Sequence, residues 1–206
     1  MTPLGGNSVL PSSLRLWFNR LVQPLGVALA GWGVHPHMLT LSGFALSLAS
    51  AGTFGTGHFR WGGLLLLVGG TFDVLDGITA RESGRGSRFG ALFDSTLDRY
   101  SEIALYLGLI TYYLRFSRPG PVLVAVLALA GSLMVSYIRA RVEGLGEECR
   151  IGMMQRAERI VYLGFGALLF GNSVIFLIIL ALVAVFTHFT AGQRVYHFWR
   201  QGRVKP

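Results

Sequence analysis

The sequence predicts an all-α integral membrane protein: six transmembrane helices preceded by an amphipathic interfacial helix. Three observations carry this. The mean hydropathy is +0.53 over 206 residues, with only 14% charged, which lies outside the soluble globular range. Six apolar stretches approach the roughly 20 residues needed to cross about 30 Å of hydrocarbon. Ahead of them runs a segment whose apolar residues recur at helical spacing.

That first element falls within 8–30. In SSLRLWFNRLVQPLG, Leu14, Trp17, Phe18 and Leu21 recur at i, i+3, i+4 and i+7, with Arg15, Asn19 and Arg20 opposite. This is the pattern of a helix lying in the membrane interface, either as an anchor or as a lid over a cytosolic site. Residues 1–30 are expected to hold no signal peptide, because Pro24 interrupts the apolar run and no basic segment precedes it. The spans follow near 38–57, 61–81, 89–114, 120–141, 159–171 extended backward through Met153, and 173–193. Gly171-Asn172 must form a very tight turn between the last two. One six-helix bundle, 38–198, accounts for the rest of a single domain covering 1–206, without an internal repeat.

Basic residues orient the bundle, since cytoplasmic loops collect Lys and Arg. Arg15 and Arg20 precede the first span, and Arg81, Arg85 and Arg88 join the second to the third. Arg139, Arg141, Arg150, Arg156 and Arg159 lie between the fourth and fifth, and Arg194, Arg200, Arg203 and Lys205 end the chain. The opposite loops hold Arg60, Arg115 and Arg118. Both termini are therefore expected in the cytosol, in the plasma membrane of a prokaryote. The net charge of +8 reads as topology and attraction to anionic headgroups rather than nucleic-acid binding. The single Cys149 excludes a disulfide framework and suits a reducing compartment.

Against this background the four aspartates stand out, since all lie between 73 and 98 on otherwise apolar spans. A carboxylate at a membrane helix centre costs about 2.5–3.5 kcal/mol even on insertion scales. Asp73 and Asp76 are i, i+3 near the end of the second span, and Asp94 and Asp98 are i, i+4 near the start of the third. Each pair shares a helix face, and a hairpin closed by 82–88 sets the pairs opposite one another. Converging carboxylates repel unless cations neutralise them. Oxygen-only ligation suits Mg2+ or Mn2+. A proton or cation pathway and a buried ionic network use the same residue types, and spacing alone leaves both open. Gly77 beside Asp76, and Gly90 one turn before Asp94, leave room for a ligand at the backbone.

Asp73, Asp76, Gly77, Ala80, Arg81, Gly90, Asp94 and Asp98 fit D-x2-D-G-x2-A-R-x8-G-x3-D-x3-D without deviation. The chain thereby resembles the CDP-alcohol phosphotransferases, in signature and in helix layout. The resemblance implies a cytosol-facing site with two Mg2+ or Mn2+ ions on Asp73, Asp76, Asp94 and Asp98, and Asp98 as general base. It implies CDP-lipid binding by Gly77, Ala80, Arg81, Ser87, Gly90 and the run His37, Met38, Leu39 and Thr40, where His37 replaces the usual Asp or Asn. It also implies a homodimer, for which Gly- and Ala-rich faces on the third and fourth spans are available.

The acceptor is read from 136–159, where five arginines flank a Gly-containing turn. Positive-inside bias explains some of them. Arg139 and Arg141 end the fourth span, while Arg156 and Arg159 are i, i+3 at the start of the fifth, an arrangement able to clasp a second phosphate. The stretch resembles the S-Y-[KR]-A-R-x-E and E-R-x-E-R elements of bacterial phosphatidylinositol-phosphate synthases, with Arg139 where Lys is usual and Gln155 in place of the first Glu. The expected reaction is transfer of phosphatidyl from CDP-diacylglycerol to inositol 1-phosphate. Glycerol 3-phosphate is the rival acceptor. A transporter is disfavoured, because the chain has neither repeated halves nor broken helices.

Overall fold

The computed structural model describes residues 11–149 and 151–202. Arg150, Arg203, Lys205 and the first three residues of the expected interfacial helix lie outside them. The described residues form seven α-helices: α1 Ser12–Gly31, α2 Pro36–Gly55, α3 Phe59–Glu82, α4 Arg88–Arg115, α5 Pro119–Gly144, α6 Arg156–Phe170 and α7 Val174–Gly202. There is no strand among the described residues. This is an all-helical membrane protein.

Four helices, α2, α3, α5 and α7, are long and apolar enough to cross a membrane. α4 has the length, at 28 residues, but carries Asp94, Asp98, Arg99 and Glu102. α6 differs from expectation. It does not extend back through Met153 but begins at Arg156, and its 15 residues span about 22 Å. Two features cause this: Gly152 has φ +140° with Met153–Met154 forming a bend, and the Met154 N–H donates to Thr190 Oγ1 on α7 at 3.0 Å. The expected turn before α7 is present, with Gly171 at φ +57°. α1 continues past Pro24, which lies inside it, as the expected 8–30 element requires.

Boundaries elsewhere follow capping chemistry. Pro36 occupies the first turn of α2, where its missing N–H costs nothing, and the His35 ring accepts from the His37 N–H at 3.3 Å. Ser87 Oγ caps α4 by accepting the Gly90 N–H at 2.9 Å.

Packing places α2 against α3 and α4, α3 against α6, and α5 against α7, while α1 lies across α3. Small residues permit this closeness. A Cβ on Gly108 would strike the Ala51 carbonyl of α2, and one on Gly63 would lie 2.5 Å from the Gly164 carbonyl of α6. The main core joins Phe54, Phe59, Tyr113 and Phe176 to Tyr106, Leu109 and Leu163. A second cluster, Val22, Leu39, Leu75 and Ile78, seats α1 on the C-terminal half of α3. Leu14, Trp17 and Leu21 remain exposed on the outer face of α1, while Phe18 packs on the second cluster.

Candidate active site

The aspartates gather beside α2, which packs against both α3 and α4. Asp76 is buried and accepts from Thr40 Oγ1 of α2 at 2.8 Å. Asp94 is within electrostatic reach of both Asp73 and Asp76, and Asp98 of Asp73 and Asp94. The two pairs expected to face one another do so.

α6 supplies what spacing alone could not reveal, a cation inside this cluster. Arg156 Nη2 lies 2.9 Å from Asp73 Oδ2 and 2.7 Å from Asp98 Oδ1, and Nη1 donates to the Asp98 carbonyl at 2.6 Å. Arg99 adds a longer pairing, 3.3 Å to Asp98 Oδ2. One guanidinium thus ties α3 and α4 to α6.

One turn further along α4, Glu102 meets Arg159. Arg159 Nε donates to Glu102 Oε1 at 2.6 Å, Nη2 lies 2.6 Å from the same oxygen, and Nη1 donates to the Met154 carbonyl at 3.1 Å. Both side chains are buried, with 2% and 6% of their surface exposed. Glu102 Oε2 is buried without a hydrogen-bond partner. Beside it lies a cavity of about 20 Å3, lined by Ser47, Ser101, Glu102, Tyr106, Arg156 and Arg159, which has room for about one water.

The donor set fits a hard divalent cation: four carboxylates, no sulfur or imidazole, and a buried, unpartnered Asp94 Oδ1. With Arg156 in place, no three His, Cys, Asp or Glu side chains among the described residues stand in a metal-holding arrangement. Two of the four carboxylates are engaged by the guanidinium instead.

The remaining expected site residues divide into those near the cluster and those away from it. Thr40 bonds Asp76, whereas Leu39 is buried in the second cluster and Met38 is exposed. The His37 ring makes edge contacts with Phe89 and Phe93, at centroid distances of 6.1 and 5.6 Å. Gly77 leaves open space, since a Cβ there meets only Arg81 Nη1 at 3.5 Å. Gly90 does not: a Cβ would lie 3.0 Å from His37 Cε1 and 3.1 Å from Ser87 Oγ. Ala80 is half-buried, and Arg81 and Ser87 are exposed.

The four acceptor arginines are not drawn into one clasp. Arg139 pairs with Glu143 on its own helix at 2.8 Å, and Arg141 is exposed. Arg156 faces the aspartates and Arg159 faces Glu102. Arg194, read from the sequence as part of a basic tail, is buried and donates to the carbonyls of Ile151 and Val135. Arg139 and Arg159 are within electrostatic reach of it. Nothing in the spacing of Arg194 marked it out. Glu102 did carry a signal, four residues after Asp98 and hence on the same face of α4.

Comparison with known proteins identifies the family of the chain. The family profile of the CDP-alcohol phosphatidyltransferases matches residues 33–190. The phosphatidylinositol phosphate synthase of Mycobacteroides abscessus is 35% identical over 157 residues, covering 75% of this chain and 71% of that protein. The archaetidylinositol phosphate synthase of Methanothermobacter thermautotrophicus is 34% identical over 202 residues, covering 95% and 97%. The fold matches the crystal structure of Mycobacterium tuberculosis phosphatidylinositol phosphate synthase with CDP-DAG bound, with a TM-score of 0.76 and 32% identity over 87% of this chain and 94% of that one. The same mycobacterial enzyme, in complex with manganese and citrate, matches with a TM-score of 0.75 and 33% identity over 86% and 88%. The chain belongs to the CDP-alcohol phosphatidyltransferase family and is a membrane transferase of phospholipid biosynthesis.

Proposed function

We propose that this enzyme transfers the phosphatidyl group of CDP-diacylglycerol to a hydroxyl of inositol 1-phosphate, releasing CMP and forming phosphatidylinositol phosphate. The observation that carries the reading is the opposition of two aspartate pairs on α3 and α4, with arginines of α6 alongside. Asp73, Asp76, Asp94 and Asp98 would hold two divalent ions, Mg2+ or Mn2+. Bound there, such ions polarise the diphosphate and stabilise the charge on departing CMP.

The protein groups have separable roles. Asp98 accepts the acceptor's hydroxyl proton as that oxygen attacks the phosphorus bearing the lipid and the bond to CMP breaks. Thr40 holds the Asp76 carboxylate in one orientation. The open backbone face at Gly77 admits the nucleotide diphosphate, and Ala80, Arg81, Ser87, Gly90 and His37–Thr40 surround its approach. Arg139, Arg141, Arg156 and Arg159, with Arg194 behind them, supply positive charge for the acceptor's phosphate.

The reading places α2–α7 across the plasma membrane, with α1 in the interface and both termini and the site on the cytosolic side of a homodimer. The exposed Leu14, Trp17 and Leu21 face of α1 supports the interfacial placement.

The test is CMP release by purified protein in detergent with CDP-diacylglycerol and Mg2+, comparing inositol 1-phosphate, glycerol 3-phosphate, free inositol and serine, with Asp98→Asn as blank. Turnover restricted to inositol 1-phosphate supports the proposal, and preference for glycerol 3-phosphate reassigns the product. A second reading, with a diether donor, is favoured by the near-complete overlap with the archaetidylinositol phosphate synthase. Substituting CDP-archaeol in the same assay separates the donors.

A further inference from the structure

Arg156 occupies a position that conflicts with metal loading. Its side chain is 19% exposed, and its Nη2 alone lies within 3 Å of carboxylates from two different helices. A divalent ion held by Asp73 and Asp98 would draw on those same carboxylates, and it would bring two positive charges against the guanidinium. Two of the four carboxylates are thus already paired from within, and Asp94 Oδ1 beside them is buried without a donor.

The guanidinium also has somewhere to go. Glu102 stands one turn beyond Asp98 on the same face of α4 and lies within electrostatic reach of Arg156. Its Oε2 is buried and unpartnered, and the small cavity lined by Arg156, Ser101 and Glu102 separates them. A buried carboxylate oxygen without a donor is costly where it stands and gains from any N–H that reaches it. Arg159 satisfies only Oε1.

We infer that Arg156 is the resident counter-cation of the aspartate cluster, and that divalent metal displaces its head one helical turn along α4, from Asp73 and Asp98 to Glu102. This rests on the reading of the four aspartates as metal ligands. Arg156 is then a positioning residue with two settings: it keeps like charges tolerable before metal arrives, and it withdraws to the acceptor side once metal is bound. The acceptor's phosphate meets a guanidinium released from the aspartates only on the loaded enzyme, which orders metal before acceptor.

The experiment is direct Mn2+ binding to the full chain in detergent without substrates, with free Mn2+ followed by electron paramagnetic resonance. Wild type, Arg156→Gln, Arg156→Lys and Glu102→Gln are compared, with elution on size exclusion as the check on folding. Arg156→Gln removes the competing charge and is expected to bind Mn2+ about tenfold more tightly than wild type. Arg156→Lys, which keeps the charge, is expected to stay close to wild type. Glu102→Gln removes the second docking point and is expected to bind about tenfold more weakly. Mn2+ binding that is unchanged or weaker in Arg156→Gln overturns the inference while leaving the metal site standing. No Mn2+ binding by wild type or Arg156→Gln overturns both. Should Arg156→Gln elute as aggregate, Glu102→Gln decides alone, and unchanged affinity there overturns the inference.

Discussion

The Glu102–Arg159 pair is the most exacting element of this fold, because two opposite charges are held almost wholly out of solvent between α4 and α6. Arg159→Met keeps the length and apolar stem of the side chain but strands the Glu102 carboxylate. Removing one partner of a buried ion pair costs about 3–5 kcal/mol, far more than the net worth of the pair itself. For a chain of this size a loss of 1 kcal/mol lowers the melting temperature by about 2–4 °C, so the apparent Tm in detergent is expected to fall by roughly 6–20 °C. Replacing both, Glu102→Leu with Arg159→Met, removes the stranded charge and is expected to recover most of that loss. The double variant is nonetheless expected to turn over poorly. Arg159 also binds the Met154 carbonyl, which sets where α6 begins and therefore where Arg156 stands, so the KM for the acceptor should rise more than that for CDP-lipid. An Arg159→Met protein that melts within about 2 °C of wild type refutes the reasoning, as does a double variant less stable than either single one.

Further expectations concern the cluster, the packing and the thiol. Asp98→Asn is expected to keep the melting temperature and lose about 10²–10⁴-fold in turnover, the range of a general base, measured by CMP release. Thr40→Val removes the donor to Asp76 without changing shape; a hydrogen bond to a charged group contributes about 1.5–3 kcal/mol, so kcat/KM should fall about tenfold or more. Gly108→Ala forces a methyl group onto the Ala51 carbonyl, backbone against side chain with no flexible group to yield, and is expected to cost about 1–3 kcal/mol, read as a lower Tm. Cys149 lies in the α5–α6 segment with 1% of its surface exposed, and burial pushes its thiol pKa up. Since the thiolate is the reacting form, maleimide labelling of native protein should be slow at pH 8, rise only at more alkaline pH than for a free cysteine, and become fast on denaturation.

What the sequence showed and what it concealed follow from the range of the interactions. The spans from α2 to α5 were legible to within about three residues because each is an apolar run closed by Pro, Gly or Arg, all local signals. The start of α6 was not, since Met153 and Met154 read as helix. What bends them away is a glycine at positive φ and a bond to Thr190, 36 residues downstream. The same division runs through the site. The aspartate pairs were legible because i, i+3 and i, i+4 spacing is a property of one helix. The occupant of the cluster was not, because Arg156 reaches Asp98 and Asp73 across 58 and 83 residues of chain. The positive-inside reading also disguised it among the arginines of the basic loops, as it disguised Arg194. Charge balance offers a way to read such positions. Four converging carboxylates on α3 and α4 repel in states without metal, and a basic residue on a neighbouring helix relieves that repulsion alongside Arg99 of α4 itself. In this fold α6 lies against α3, and its first residue is an arginine. A cation at that place pairs two of the four carboxylates, and a glutamate one turn beyond Asp98 gives it a second partner, so the charges that support catalysis and those that support the metal-free fold are carried by the same side chains.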